Sequence, residues 1–158
     1  GVLFTGVWGS GYEGGYVDWI SYVEIGTSGT AVDFGDLTYA RKGSNAGFSD
    51  ATRGVFCGGQ KASPWSNVSD YITIATPSNA TNFGNLTVTR VACSGCSDAT
   101  SGIIGGGNSS SAVRQNVLDY FTTQTTGNAT DFGNLTQSRM YVASCADSTR
   151  GVWHGGMT

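Results

Sequence analysis

The chain has 158 residues with a formal net charge of −3, and only 12% of its residues are charged. It has no cluster of Lys and Arg, which argues against nucleic-acid binding, and no apolar stretch approaches the roughly 18 residues of a membrane-spanning helix. Its 25 glycines argue against a helical array, because each interior glycine costs a helix roughly 1 kcal/mol relative to Ala.

A recurring segment dominates the sequence. Residues 33–38 (DFGDLT) return as 82–87 (NFGNLT) and 131–136 (DFGNLT), 49 residues apart each time, and an arginine follows each at Arg41, Arg90 and Arg139. Further landmarks recur with a similar spacing. They are the Asp-x-Thr-x-Gly segments 50–54, 98–102 and 147–151, and the Asp-aromatic pairs Asp18-Trp19, Asp70-Tyr71 and Asp119-Tyr120. A period of about 40–50 residues is typical of propeller blades and helical arrays, and the composition favours the β alternative.

Short β-forming segments alternate with Gly, Asn and Asp turn signals along the whole chain. The predicted strands, in chain order, are 1–6, 17–25, 31–37, 44–50, 54–59, 68–76, 81–87, 92–98, 102–107, 117–124, 130–136, 141–147 and 151–156. We expect four short antiparallel strands per unit, with a polar loop between the second and third strands of each.

The segment Gly1–Phe4 aligns with the strand at Gly54, and the chain closes with a similar segment at Gly151. This alignment predicts one repeat array over 1–158, with a partial unit at 1–40, two units at 41–89 and 90–138, and a partial unit at 139–158. Unpaired edge strands promote association, so we expect copies of the chain or flanking repeats to complete the sheets.

The order of these features resembles the kelch repeat of β-propellers. The diglycines at 58–59, 106–107 and 155–156 match its diglycine, Tyr71 and Tyr120 stand at its tyrosine, and Phe83 and Phe132 replace its usual tryptophan. The residue sequence of the repeat is similar to repeats in virion appendage proteins of marine phages, such as tail fibre components. The resemblance implies an all-β fold of kelch-like four-stranded blades, incomplete at both ends, and an extracellular or virion-surface location.

The loops between second and third strands vary while the rest recurs, and variable loops on a repeated scaffold commonly carry function. Tyr and Trp on glycine-rich loops suit stacking on sugar rings. The candidate glycan-binding residues are therefore Trp8, Tyr12, Tyr16 and Trp65. The alternative is that these aromatic side chains seal a sheet edge or a subunit interface.

Six N-x-S/T sequons are candidate glycosylation sites, at Asn67, Asn79, Asn85, Asn108, Asn128 and Asn134. Asn79 and Asn128 fall in the same turn of two units, where we expect them to be exposed. Occupancy of these sites requires secretion from a eukaryotic producer.

No metal site or cofactor is expected. The lone C-x-x-C at Cys93 and Cys96 lacks half the ligands of a structural zinc site. Asp50, Asp98 and Asp147 can be interpreted as calcium ligands or as turn caps, and the absence of a second acid at calcium-loop spacing favours capping. The recurring arginines can form either an anion site or a structural hydrogen bond in each unit, and we favour the second.

The sequence contains no motif typical of a catalytic site, and the one histidine, His154, falls in a predicted strand where packing or surface exposure is the simpler role. We therefore expect a non-enzymatic structural and recognition component of an extracellular assembly, such as a phage appendage or a surface filament, that binds cell-surface glycans or a partner. The alternative is a carbohydrate-active enzyme on a kelch propeller scaffold.

Overall fold

The computed structural model describes residues 5–9, 15–43, 45–61, 65–109 and 113–158. Within these ranges the regular structure is entirely β and contains no helix. The strands are β1 (Thr5–Gly9), β2 (Val17–Glu24), β3 (Val32–Arg41), β4 (Ala46–Ser49), β5 (Arg53–Cys57), β6 (Val68–Thr73), β7 (Thr81–Asn85), β8 (Ser94–Ser97), β9 (Ser101–Gly105), β10 (Asn108–Ser109), β11 (Val113–Arg114), β12 (Val117–Thr122), β13 (Thr130–Asn134), β14 (Ala143–Ala146) and β15 (Gly151–His154).

These strands form small antiparallel sheets, and those described do not close into a barrel or propeller. The first sheet has the order β1-β2-β3, the second β4-β5-β6-β7, the third β8-β9-β12-β13, and the fourth contains β14 and β15. A separate hairpin, β10–β11, lies within the predicted loop 108–116. No helix in the described ranges is long and apolar enough to cross a membrane.

Most predicted strands are confirmed to within a few residues. Residues 1–4 of the first predicted strand lie outside the described residues, and the described strand extends to Gly9, so Trp8 and Gly9 belong to β1 instead of a loop. Gly6 therefore takes the position that the sequence alignment gave to Gly1. The reason is that β1 pairs with β2 in the same register as β5 with β6 and β9 with β12. The matching pairs are Val7 with Tyr22, Val55 with Tyr71, and Ile103 with Tyr120.

The register also corrects one recurring pair in the first sheet. Gly84 pairs with Ser69, the residue before Asp70, and Gly35 pairs with Ile20, the residue before Ser21. Ser21, and not Asp18, thus stands where the second and third sheets carry Asp70 and Asp119. The spacing agrees, since Ser21 lies 49 residues before Asp70 whereas Asp18 lies 52 residues before it.

The core lies between successive sheets. Phe48 and Phe83 of the second sheet contact Phe121 of the third, with ring centres 5.6 and 5.5 Å from it. Ile72 of the second sheet packs in one buried cluster with Phe34 of the first. Stacked burial of this kind makes each sheet depend on its neighbour for stability.

Candidate functional site

The structure describes the side chains of two of the four aromatic residues that the sequence predicted to bind glycans. Trp8 lies in β1 with its backbone paired to Ser21, while Tyr12 lies outside the described residues. Tyr16 is exposed and Trp65 is half-buried. Of the four, only the side chains of Tyr16 and Trp65 can therefore be placed in a site.

A contact through Lys42 links Tyr16 to the segment that leads to Trp65. The Lys42 ammonium lies 4.9 Å from the centre of the Tyr16 ring. The backbone of Lys42 pairs with Gln60 through hydrogen bonds of 2.9 and 2.8 Å. Two segments that the sequence placed in different variable loops thus meet beside the end of β3.

Tyr39 forms a second lysine–tyrosine contact, with Lys61, the residue that follows Gln60. Its ring has the Lys61 ammonium 3.9 Å from its centre and the Arg41 guanidinium 5.1 Å from it. Its hydroxyl forms a hydrogen bond with Ser66 Oγ. We call this region the lysine–tyrosine cluster and define it as Tyr16, Tyr39, Lys42, Lys61 and Ser66.

The lysine–tyrosine cluster has a distinctive composition, because it contains both lysines of the chain. An ammonium group that lies over an aromatic face gains cation–π stabilisation, and its N–H groups are hydrogen-bond donors. Hydroxyls, ammonium donors and ring faces together can bind a hydroxylated ligand, and the two positive charges favour one that also carries a carboxylate.

Sequence reasoning missed Tyr39, Lys42 and Lys61, although a signal for two of them was present. The positions of Tyr39 and Lys42 lie next to the recurring Thr and Arg, yet they do not recur themselves. The corresponding residues are Val88 and Gln137 for Tyr39, and Val91 and Met140 for Lys42. A break in an otherwise regular repeat marked the region better than the aromatic content of the loops.

The recurring arginines are structural where a further sheet follows, as predicted. Arg41 donates to Asp70 at 2.8 Å and Arg90 to Asp119 at 2.5 Å, and all four side chains are fully buried. Arg90 also donates to the carbonyls of Val117 and Gly106. Each pair ties the end of one sheet to the third strand of the next, so we interpret these arginines as structural residues.

The recurring aspartates cap hairpin turns, which confirms the structural interpretation. Asp50, Asp98 and Asp147 each accept hydrogen bonds from backbone N–H groups two and three residues later. The hydroxyl of Thr100 and neighbouring backbone donors lower the pKa of Asp98, and backbone and side-chain donors of Thr149 lower the pKa of Asp147. Within the described ranges, no three His, Cys, Asp or Glu side chains come together as a metal site would need.

The six sequon asparagines differ in exposure. Asn79, Asn128 and Asn134 are exposed, Asn67 and Asn85 are half-buried, and Asn108 is buried. The side-chain carbonyls of Asn79 and Asn128 each accept a backbone N–H of the preceding sheet, from Asp36 and Asn85, at 3.1 Å. The predicted exposure of Asn79 and Asn128 is confirmed, and both also link neighbouring sheets.

All four cysteines are free thiols in the structure. Burial raises the pKa of Cys57 to about 12 and also raises the pKa of Cys93 and Cys96. Cys145 is exposed. His154 is likewise exposed, on β15.

Comparisons with other proteins assign no family to the chain. No protein-family model matches the chain, and no curated protein matches it.

Proposed function

We propose that this protein is a structural and recognition component of an extracellular assembly, such as a phage appendage or a surface filament. The sheets of four antiparallel strands and the recurring links between them support a scaffold of kelch-like blades. That scaffold also bears residues that do not recur from unit to unit, and these residues bind the partner. The partner is a cell-surface glycan.

One observation carries the recognition part of this proposal. The lysine–tyrosine cluster combines the contact of Lys42 with Tyr16 and the contact of Lys61 with Tyr39, whose hydroxyl bonds to Ser66. Structural residues of the scaffold recur from unit to unit, as Arg41 and Arg90 do, whereas the residues of this cluster do not. A residue set that departs from the scaffold is the expected location of a specific function.

The chemistry of the cluster favours glycans with carboxylate groups. An ammonium donates a charge-assisted hydrogen bond to a carboxylate, and such bonds are roughly twice as strong as neutral ones. Ring hydroxyls of the sugar find a partner in the half-buried Tyr39. Each contact is worth on the order of 1 kcal/mol, so useful affinity comes from several chains that bind one surface together.

A glycan array tests the proposal directly. The full chain, displayed in many copies on beads, should bind acidic glycans, and Lys61→Met or Tyr16→Ala should weaken this binding. Tyr141→Ala is the matched control, since Tyr141 is an exposed tyrosine outside the cluster. Equal binding by all four proteins, or no binding by any, would contradict the proposal.

The same material distinguishes recognition from catalysis. A recognition protein releases its glycan unchanged, whereas a carbohydrate-active enzyme shortens or modifies it. Mass spectrometry of an array-positive oligosaccharide after prolonged incubation with the chain should show the starting mass only. Time-dependent products that vanish in the Lys61→Met variant would instead assign the cluster to an enzyme.

A further inference from the structure

Two neighbouring pairs of sheets are joined by the same contacts, and the first of these contacts is aromatic. Phe34 and Phe83, which end the first and second sheets, are covered by the next sheet and are 3% and 2% exposed. Phe132 holds the same position in the third sheet and is 61% exposed. It stacks on Tyr120 of its own sheet, with ring centres 6.0 Å apart, and no strand in the described ranges covers it as Phe34 and Phe83 are covered.

The second contact is a turn that packs on a glycine. A Cβ on Gly84 would lie 1.9 Å from the carbonyl oxygen of Gly127, so the turn of the third sheet presses directly against the second. In that turn, the side-chain carbonyl of Asn128 accepts the N–H of Asn85. At Gly133 nothing lies within 4 Å of the same Cβ position. The backbone of Asn134 therefore faces an open site that corresponds to the one Asn128 fills.

The third contact is the buried ion pair. Arg41 and Arg90 reach a carboxylate of the next sheet. Within the described ranges, Arg139 donates instead to the Gly155 carbonyl at 3.3 Å and to the Thr136 hydroxyl at 3.4 Å. A guanidinium thus lies where the other two sheets bind an aspartate.

The fourth contact is a side chain that fills the space between sheets. Phe121 occupies this space between the second and third sheets, where it packs on Phe48. Between the third and fourth sheets the same space is a cavity of about 330 Å³. The residues that line it include Cys96, Leu118, Tyr120, Phe132, Gly151 and Trp153. Beside it, β15 pairs only with β14 among the described strands, whereas β9 pairs on both sides.

We propose that this face, formed by the free edge of β15, the cavity and Arg139, binds a β-hairpin with the chemistry of β12–β13. The hairpin adds its first strand to β15. Its aspartate binds Arg139, its aromatic side chain enters the cavity, and its asparagine accepts the N–H of Asn134. The aspartate and the asparagine correspond to contacts between both earlier pairs of sheets. The aromatic side chain corresponds to Phe121 between the second and third sheets.

The carboxylate decides which hairpin fits. The first sheet of a second copy offers Ser21 at this position, so it leaves Arg139 without an acidic partner. The occupant is therefore a hairpin that carries Asp there, as β6 and β12 do, and not the first sheet of this chain. The inference deepens the assembly part of the proposed function and rests on it.

The test uses the full chain and a fluorescent peptide of residues 115–136. Because Val117 pairs with Asn134, the peptide is cyclised through its ends so that it is a hairpin before it binds. Fluorescence anisotropy should show saturable binding. We expect about a tenfold or greater loss with Asp119→Asn in the peptide, because hydrogen bonds to charged groups are worth about 1.5–3 kcal/mol.

A double-mutant cycle assigns that loss to one contact. Arg139→Met in the chain should weaken the parent peptide as much as the Asp119→Asn change does, and the two changes together should weaken binding no further. The matched control is Asp131→Asn, an equal charge change at an exposed position of the same hairpin, which should have little effect. No saturable binding up to millimolar peptide, or binding insensitive to both Asp119→Asn and Arg139→Met, would overturn the inference.

The two proposals can fail separately. Glycan binding is measured at the lysine–tyrosine cluster and needs none of the residues of the hairpin face. Loss of hairpin binding with intact glycan binding rejects the assembly contact alone. Hairpin binding without glycan binding rejects the recognition role and leaves the assembly contact in place.

Discussion

Removal of one partner of the Arg90–Asp119 ion pair should strongly destabilise the fold. Both side chains are fully buried, and Asp119 also accepts the N–H and hydroxyl of Thr87 at 3.1 and 2.6 Å. The Asp119→Asn variant leaves a buried guanidinium without its counter-charge, and breaking such a pair typically costs about 3–5 kcal/mol. The double change Arg90→Met with Asp119→Leu removes both charges and should recover much of this loss.

Arg139→Met is the matched control, because Arg139 recurs at the same position without a carboxylate. Its loss should cost about 1 kcal/mol or less, since the side chain is only partly buried and makes long hydrogen bonds. Urea denaturation followed by tryptophan fluorescence gives the free energy of unfolding for each variant. If Asp119→Asn costs no more than Arg139→Met, the buried pair does not join the sheets and the reasoning is refuted.

Three further predictions concern the scaffold. Gly84→Ala should destabilise by about 2 kcal/mol more than Gly133→Ala, because only the first collides with a neighbouring turn; chemical denaturation of both variants measures the difference. Cys145 should react with a thiol reagent in the native state and the three buried cysteines only after unfolding, as mass spectrometry of the labelled protein would show. Finally, the folded state holds the Cys57 proton more tightly than the unfolded chain, so the stability that this thiol contributes is complete below about pH 9 and is lost as pH rises toward 12. The unfolding free energy should fall by about 1.4 kcal/mol per pH unit above pH 9 relative to Cys57→Ala, and an equal pH dependence in both proteins would contradict this.

Much of the fold could be predicted from the recurrence, because backbone chemistry repeats with it. The turn aspartates and the diglycines have fixed local roles, so their spacing placed hairpins correctly at Asp50, Asp98 and Asp147. The recurring arginines were likewise interpreted correctly as structural. Arg41 and Arg90, which each have a following four-stranded sheet, both bind an aspartate of that sheet. Local chemistry and a strict period were sufficient for these features.

The errors came where similarity of residue type was preferred to spacing. Asp18 resembles Asp70 in type, but the register places Ser21 there, and Ser21 alone keeps the period of 49 residues. Gly1 was preferred to Gly6 for the same reason. A strand register is set by its partner strands, so the period was the better guide.

The candidate site could not be predicted, because it depends on contacts between segments far apart in sequence. Lys61 reaches Tyr39 only through the path of the backbone after β5, and Lys42 approaches Tyr16 through the pairing of β2 with β3. Neither contact has a local sequence signal.

The most direct test of the recognition claim uses the fact that the chain has two lysines, Lys42 and Lys61. Protein labelled with both 15N-lysine and 15N-tryptophan gives two lysine backbone amide signals in an NMR spectrum, one for each lysine of the lysine–tyrosine cluster, together with the indole signals of its tryptophans. Titration with an acidic oligosaccharide such as oligogalacturonate should shift both signals saturably, and the indole signal of Trp153 should stay in place. Lysine signals that do not move up to millimolar oligosaccharide, or movement of Trp153 alone, would contradict the assignment of recognition to this cluster.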